Sequence, residues 1–417
     1  MRYFFIPLLI LFCSIFTAQT SIAQSYISKI GEVDSLYSDI LGEQREIYVE
    51  LPERFNPKSD PGYPVVFVLD GESLTDAVST VHKFYWGGFM PEMIIVGIAN
   101  LANRNRDLTI SKVDSLFGMP NRKESGEAIN FLTFIEKELI PHIASKYPIS
   151  DYRTLIGHSY GGLFTLNALV HRPELFDNYV AIDPSLQWDN QILLKQAEEA
   201  FKKNQYAGKS VFISLAGQLH AQNPDITIDN VMEDQSPATL FARSNIAFTE
   251  LARQSGHQDF RVEWQFYEND LHGTIPLPSI MDGLKTLFDW YQMENTSIMN
   301  DPGTSVDAIG QWIRKRATKL ESNFGYTFPP MDEEFLNGLG YMYKDMGQPD
   351  KSKLYFEMAI EYYPKSANAY DSMADYFASQ EDFENALKNV KKAFEISGSG
   401  RHERRVKRFE KKVGAKN

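Results

Sequence analysis

The chain has 417 residues, 43% hydrophobic and 23% charged, an ordinary globular composition spread over more length than one hydrophobic core usually supports. Acidic residues outnumber basic ones by 55 to 42, for a net charge of −13, which makes nucleic acid or an anionic lipid surface a poor partner. Cys13 is the only cysteine, so a disulfide framework, a cysteine zinc site and a catalytic thiol are excluded for the chain beyond it.

Met1-Arg2, an apolar run from Tyr3 to Phe16 and the small residues Ser21 and Ala23 have the pattern of a cleaved export signal. Residues 1–23 are therefore expected to be removed, leaving a chain that is periplasmic or extracellular. The apolar run is too short for a comfortable membrane span, and no second candidate follows. From 26 to 51 an amphipathic stretch predicts edge strands. Near-continuous apolar runs at 64–69, 93–98, 153–156, 179–182, 210–216 and 261–267 predict strands of a parallel sheet covered on both faces. Helical spacing appears over 131–147, 163–169 and 236–254, the last opening with Ser236 as N-cap and Pro237 at the first helical position. This alternation predicts an α/β fold with a doubly wound, mostly parallel sheet over residues 24–294.

The polar stretch 295–303 reads as a linker to a small all-α domain, 295–417. Within about 333–398, Leu339, Gly340, Tyr343 and Ala359 recur 34 residues later as Met373, Ala374, Phe377 and Ala393. Period and pattern resemble two tetratricopeptide repeats, with the helix near 306–322 and the basic tail expected to cap them. Such repeats imply a possible protein or peptide partner, a cover over the mouth of the first domain, or a dimer contact.

The sharpest motif is Gly157-His158-Ser159-Tyr160-Gly161-Gly162, a G-x-S-x-G set between a strand and a helix. Glycines on both sides permit the strained turn that lifts a serine hydroxyl out of a sheet as a nucleophile. The serine needs a base. His171, His220, His257 and His402 lie at the wrong ends of their elements or in the wrong segment, and elimination leaves His272, directly after the last strand. An orienting acid is expected after the strand 210–216, where Asp225, Asp229, Glu233 and Asp234 lie. Asp234 is favoured, with Glu268, Asp270 or a Ser–His dyad as alternatives. The oxyanion needs two backbone N–H groups, expected from Tyr160 and from Gly71 or Glu72 in the turn after 64–69. Metal and dinucleotide motifs are missing, and no cofactor is expected.

Tyr63 to Gly71, Gly157 to Gly162 and Glu268 to Gly273 together resemble the putative-esterase family of α/β hydrolases, in its exported siderophore-esterase-like branch. The resemblance covers roughly residues 38–291. It implies an α/β-hydrolase fold, a serine nucleophile at Ser159 and a histidine base at His272. The run from Arg104 to Thr109 is similar to a stretch of that branch, with Arg104 and Arg106 as candidate binders of an anionic substrate group. Trp188 falls at the place of a pocket aromatic, and Trp86 is a second candidate for stacking. The expected function is an exported serine esterase acting on a small-molecule carboxylic ester. The alternative is a hydrolase-like binding protein, with little turnover, whose helical repeats engage a partner.

Overall fold

A computed structural model describes residues 31–100, 102–116, 119–121 and 123–415. The expected export signal lies outside them. Eight strands form one sheet: β1 (Glu32–Ser38), β2 (Glu43–Glu50), β3 (Tyr63–Leu69), β4 (Ile94–Ile98), β5 (Ile149–His158), β6 (Asn178–Ile182), β7 (Ser210–Ala216) and β8 (Arg261–Tyr267). Their spatial order is β1-β2-β4-β3-β5-β6-β7-β8. β1 and β2 are antiparallel to their neighbours, and every pairing from β4 through β3 to β8 is parallel. All carboxyl ends of β3 to β8 therefore open on one edge, where loops can converge on a ligand.

Why these runs become central strands is visible in β3. Val65, Phe67 and Leu69 enter one core, while Val66 and Val68 enter the other. Both faces are covered, so apolar residues are needed at every position rather than at every second one. Helix α1 (Gly71–Tyr85) covers one face with Leu74, Val78 and Val81. After the short helix α2 (Arg104–Leu108), α3 (Ala128–Phe134) continues through one π-helical turn, Ile135–Leu139, into α4 (Ile140–Lys146). These cover the other face together with α5 (Tyr160–His171), α6 (Trp188–Lys203) and α7 (Leu240–Gln254). Helix α8 (Pro276–Leu287) returns to the first face. Ser236 stands at the expected N-cap position, with Pro237 as the first helical residue. Pro237–Thr239 form a 3-10 turn ahead of α7, and the Ser236 hydroxyl caps nothing.

Beyond Asn295 all described elements are helical: α9 (Ser297–Asn300), α10 (Val306–Phe324), α11 (Glu333–Asp345), α12 (Pro349–Tyr362), α13 (Ala367–Ser379), α14 (Phe383–Ser397) and α15 (Gly400–Gly414). The α13/α14 pair repeats the α11/α12 pair at a step of 34 residues. Helix α10 belongs to two cores. Ile309 and Ile313 pack with the helical pairs, whereas Leu320 and Phe324 pack with α1, α8 and the sheet.

This helical part meets the sheet at its amino-terminal edge. The Tyr326 hydroxyl donates to Ser150 Oγ at the start of β5. Arg54 pairs with Asp332, and Lys365 with Asp60. A cavity of about 490 Å³ lies at this seam, lined by Tyr63, Arg54, Glu92, Arg316 and Tyr363 among others. Ser159 follows the opposite end of β5, about 30 Å away at the rise of an extended strand. The helices do not cover the edge that carries Ser159, against one of the roles expected for them.

Candidate active site

Ser159 sits in the one-residue turn between β5 and α5, with φ 60 and ψ −112. A side chain is costly in that region and persists only where the surroundings enforce it. Here Ser159 N–H donates to Ile182 O at 2.9 Å, stapling the turn to the end of β6. The hydroxyl is thereby presented above the carboxyl edge. His272 Nε2 lies 3.0 Å from Ser159 Oγ. The loop that carries His272 is held by its own backbone: His272 N–H donates to Gln218 Oε1 at 2.8 Å, and Gly217 N–H donates to Asp270 O at 3.0 Å.

The acid on the far side of the imidazole is Asp183, not Asp234. Asp183 Oδ2 lies 2.6 Å from His272 Nδ1, and Oδ1 accepts from Ala216 N–H at 3.0 Å. Asp183 directly follows β6, has φ 43 and is 1% exposed. A buried carboxylate bonded to Nδ1–H fixes the tautomer that leaves Nε2 free to accept a proton. Asp234 instead turns to Ser236 N–H, which lowers its pKa and braces the turn ahead of α7. Asp225 and Asp229 are exposed, and Asp270 accepts from Thr274 Oγ1. The acid expectation failed by one strand, because it was placed after β7 rather than after β6. The sequence did hold a signal: an aspartate at the end of a fully buried strand, followed by Pro184.

Tyr160 and Gly71 are the first residues of α5 and α1, where backbone N–H groups have no acceptor within their own helix. Both helix starts lie at the carboxyl edge beside Ser159. The glycine at position 71 answers a packing need. A Cβ there would lie 2.6 Å from the backbone of Gly97 and Ile98, so the missing side chain lets α1 start against β4. The Glu72 side chain is turned to Asn100 N–H.

Arg104 makes two bonds to Asp70, Nε to Oδ1 at 2.8 Å and Nη2 to Oδ2 at 2.9 Å, and a third from Nη2 to His158 O at 3.2 Å. It ties the turn before α1 to the serine turn, at the site's wall, with its guanidinium 5.4 Å from the Tyr160 ring centre. Arg106 is elsewhere: it pairs with Glu43 and Asp107 and is spent on holding β2 to α2. Trp188 is 3% exposed, donates from Nε1 to Ser111 Oγ and meets Tyr160 edge-on at 5.2 Å. Tyr160, half-buried, presents the accessible ring. Trp86 lies under Arg54 at the opposite edge of the sheet, away from Ser159.

His158, whose ring centre is 4.6 Å from that of His272, is a further residue of the site that the sequence pattern did not single out. Burial, with the neighbouring His272 charge second, pulls its pKa down to about 4. A neutral ring thus sits beside the imidazole facing Ser159. Among the described residues no cluster of histidine, cysteine or acidic side chains has a metal-holding arrangement. No helix among them is long and apolar enough to cross a membrane.

Comparison with known proteins agrees with this architecture. The ferri-bacillibactin esterase BesA of Bacillus subtilis is 30% identical over 211 residues, 46% of this chain and 72% of that protein. The siderophore triacetylfusarinine C esterase of Aspergillus fumigatus is 30% identical over 255 residues, 54% of this chain and 82% of that protein. The structure of an IroE-like serine hydrolase from Shewanella oneidensis superposes with a TM-score of 0.65 at 27% identity, over 79% of this chain and 99% of that one. The family model described as Putative esterase matches residues 38–272, more than half of the chain, and the chain belongs to that family of α/β hydrolases.

Proposed function

We propose that this chain is an exported serine esterase that hydrolyses a siderophore-type carboxylic ester through an acyl-enzyme on Ser159. The observation that carries the proposal is the continuous relay from Asp183 Oδ2 through His272 to Ser159 Oγ, built on the ends of three different strands. His272 Nε2 takes the Ser159 proton as Oγ bonds to the acyl carbon. The carbonyl oxygen becomes an oxyanion facing the N–H groups of Tyr160 and Gly71. Collapse breaks the ester bond, and the departing alcohol takes the proton from His272. Water then repeats the sequence, releasing the acid and restoring Ser159.

The substrate class follows the two esterases named above. Arg104 and Tyr160 are the proposed wall of the substrate site. The bond from Asp183 to His272 supports this reading over the alternative of a hydrolase-like binding protein with little turnover. On this proposal residues 1–23 are an export signal, 24–294 the esterase body and 295–417 a tetratricopeptide-like brace under the sheet.

Hydrolysis of short p-nitrophenyl esters and of a catecholate trilactone by the full mature chain tests the proposal. The expected result is turnover of both, reduced by at least about 10³-fold in Ser159→Ala. Turnover that survives in Ser159→Ala, or a folded wild-type chain inert toward both esters, would contradict it.

A further inference from the structure

The Ser159 hydroxyl has a second close neighbour besides His272. Ser185 Oγ lies 3.2 Å from Ser159 Oγ, and Ser185 is 3% exposed. Ser185 is locked to the serine turn through its backbone as well, its N–H donating to Ser159 O at 3.0 Å. It stands two residues after Asp183, and the intervening Pro184 fixes the chain between them. Pro184 O accepts from Asn245 Nδ2 at 2.9 Å, and Ser185 O accepts from Trp188 N–H at 3.1 Å. The segment 183–185 therefore supplies a carboxylate to one side of the relay and a buried hydroxyl to the other.

The direction of the hydroxyl–hydroxyl bond follows from the relay. Asp183 holds the proton of the imidazole on Nδ1, so Nε2 is an acceptor and the single Ser159 proton points to it. Ser159 Oγ then has only lone pairs to offer Ser185, and Ser185 must donate. We infer that Ser185 is a further catalytic residue of the proposed esterase reaction, donating its hydroxyl hydrogen to Ser159 Oγ. The inference rests on the serine-esterase reading. No bond is made or broken at Ser185. Its donation grows stronger as Oγ gains negative charge while its proton moves to His272. It grows stronger again when Oγ leaves the acyl carbon during deacylation. Charge-assisted bonds outweigh neutral ones, so the effect falls on the chemical steps more than on substrate binding.

The opposite polarity gives the opposite sign. Were Ser185 an acceptor, it would compete with His272 for the Ser159 proton, and removing it would leave the rate unchanged or raise it. The test is the second-order rate of labelling by a fluorophosphonate, with kcat, KM and thermal midpoint, for the full mature chain and its Ser185→Ala, Ser185→Thr and Ser159→Ala variants. Ser185→Ala should label and turn over roughly tenfold more slowly, with KM within about twofold and the midpoint within about 2 °C. Ser185→Thr, which keeps the donor, should recover most of the rate. A Ser185→Ala rate at or above wild type would overturn the inference. So would a loss shared equally by Ser185→Thr and matched by a fall in midpoint, which would mark packing alone. A folded wild-type chain that takes no label would overturn the esterase reading itself, and Ser159→Ala identifies the labelled atom.

Discussion

Asp183 is fixed by hydrogen bonds in three directions: its N–H donates to Ser214 O, Oδ1 accepts from Ala216 N–H, and Oδ2 accepts from His272. Two of these bonds cross from the end of β6 to β7, and the third reaches the loop after β8. The site is therefore the product of sheet pairing and not of one local motif. This explains what was legible in the sequence. Ser159 announces itself because strand, glycines and helix surround it within a dozen residues. His272 could be reached by exclusion. The acid depends on which strand end faces the β8 loop, a nonlocal fact, and Asp234 attracted attention only by standing before a helix. Arg104 and Arg106 were indistinguishable by sequence, because helical spacing aims one at Asp70 and the other at Glu43. His158 leads to a prediction at this scale. Its folded-state pKa of about 4 lies below the ordinary 6.5, so the unfolded chain binds a proton that the folded chain refuses. Its contribution is fully favourable above pH 6.5 and is lost as the pH falls toward 4. His158→Asn should flatten the decline of thermal midpoint between pH 6.5 and 4.5 relative to wild type. Parallel curves would contradict a buried neutral ring.

At the scale of elements, the central strands were readable as unbroken apolar runs, and β1 and β2 as an amphipathic edge. Other elements were not anticipated. Helix α1 carries its buried residues in a stretch rich in serine, threonine and histidine. The left-handed turn at Asp189, Asn190 and Gln191 ahead of the main body of α6 has no glycine to mark it. The contact that matters most for the site joins the ends of β7 and β8. A Cβ on Gly217 would lie 1.9 Å from Glu268 O, so no side chain fits unless the His272 loop moves away from the β7 end. Gly217→Ala is expected to cost about 1–3 kcal/mol and to reduce kcat by at least roughly tenfold by displacing His272. Gly273, beside His272 but with open space around it, provides the control. Gly273→Ala should leave stability and kcat near wild type. Denaturant titration and steady-state kinetics on the two variants check this, and equal behaviour of the pair would count against the role given to Gly217.

For the whole molecule, α10 makes the helical part continuous with the hydrolase body. Phe324 is 6% exposed, stacks on Phe328 at 4.3 Å and meets Tyr152 and Trp290 edge-on at 5.0 Å. The sequence marked a polar boundary near 295–303, and a composition shift does fall there. It gave no hint that the following helix would share the core of the preceding sheet. Phe324→Ala should cost about 3 kcal/mol and lower a single thermal transition monitored by both near- and far-ultraviolet circular dichroism. Two separate transitions in the wild type would mean that the parts melt independently. Because the helices meet the amino-terminal edge and Ser159 stands at the carboxyl edge, that destabilisation should leave kcat of the folded fraction unchanged.

The most direct test of the relay is steady-state hydrolysis of a p-nitrophenyl ester by Asp183→Asn beside Asp234→Asn. Asp183→Asn keeps the shape but removes the charge that holds the imidazole tautomer, and kcat should fall by about 10³- to 10⁴-fold. Asp234→Asn, which alters only a turn before α7, should stay within about twofold of wild type. Near-normal turnover by Asp183→Asn, or its loss in Asp234→Asn, would contradict the assignment.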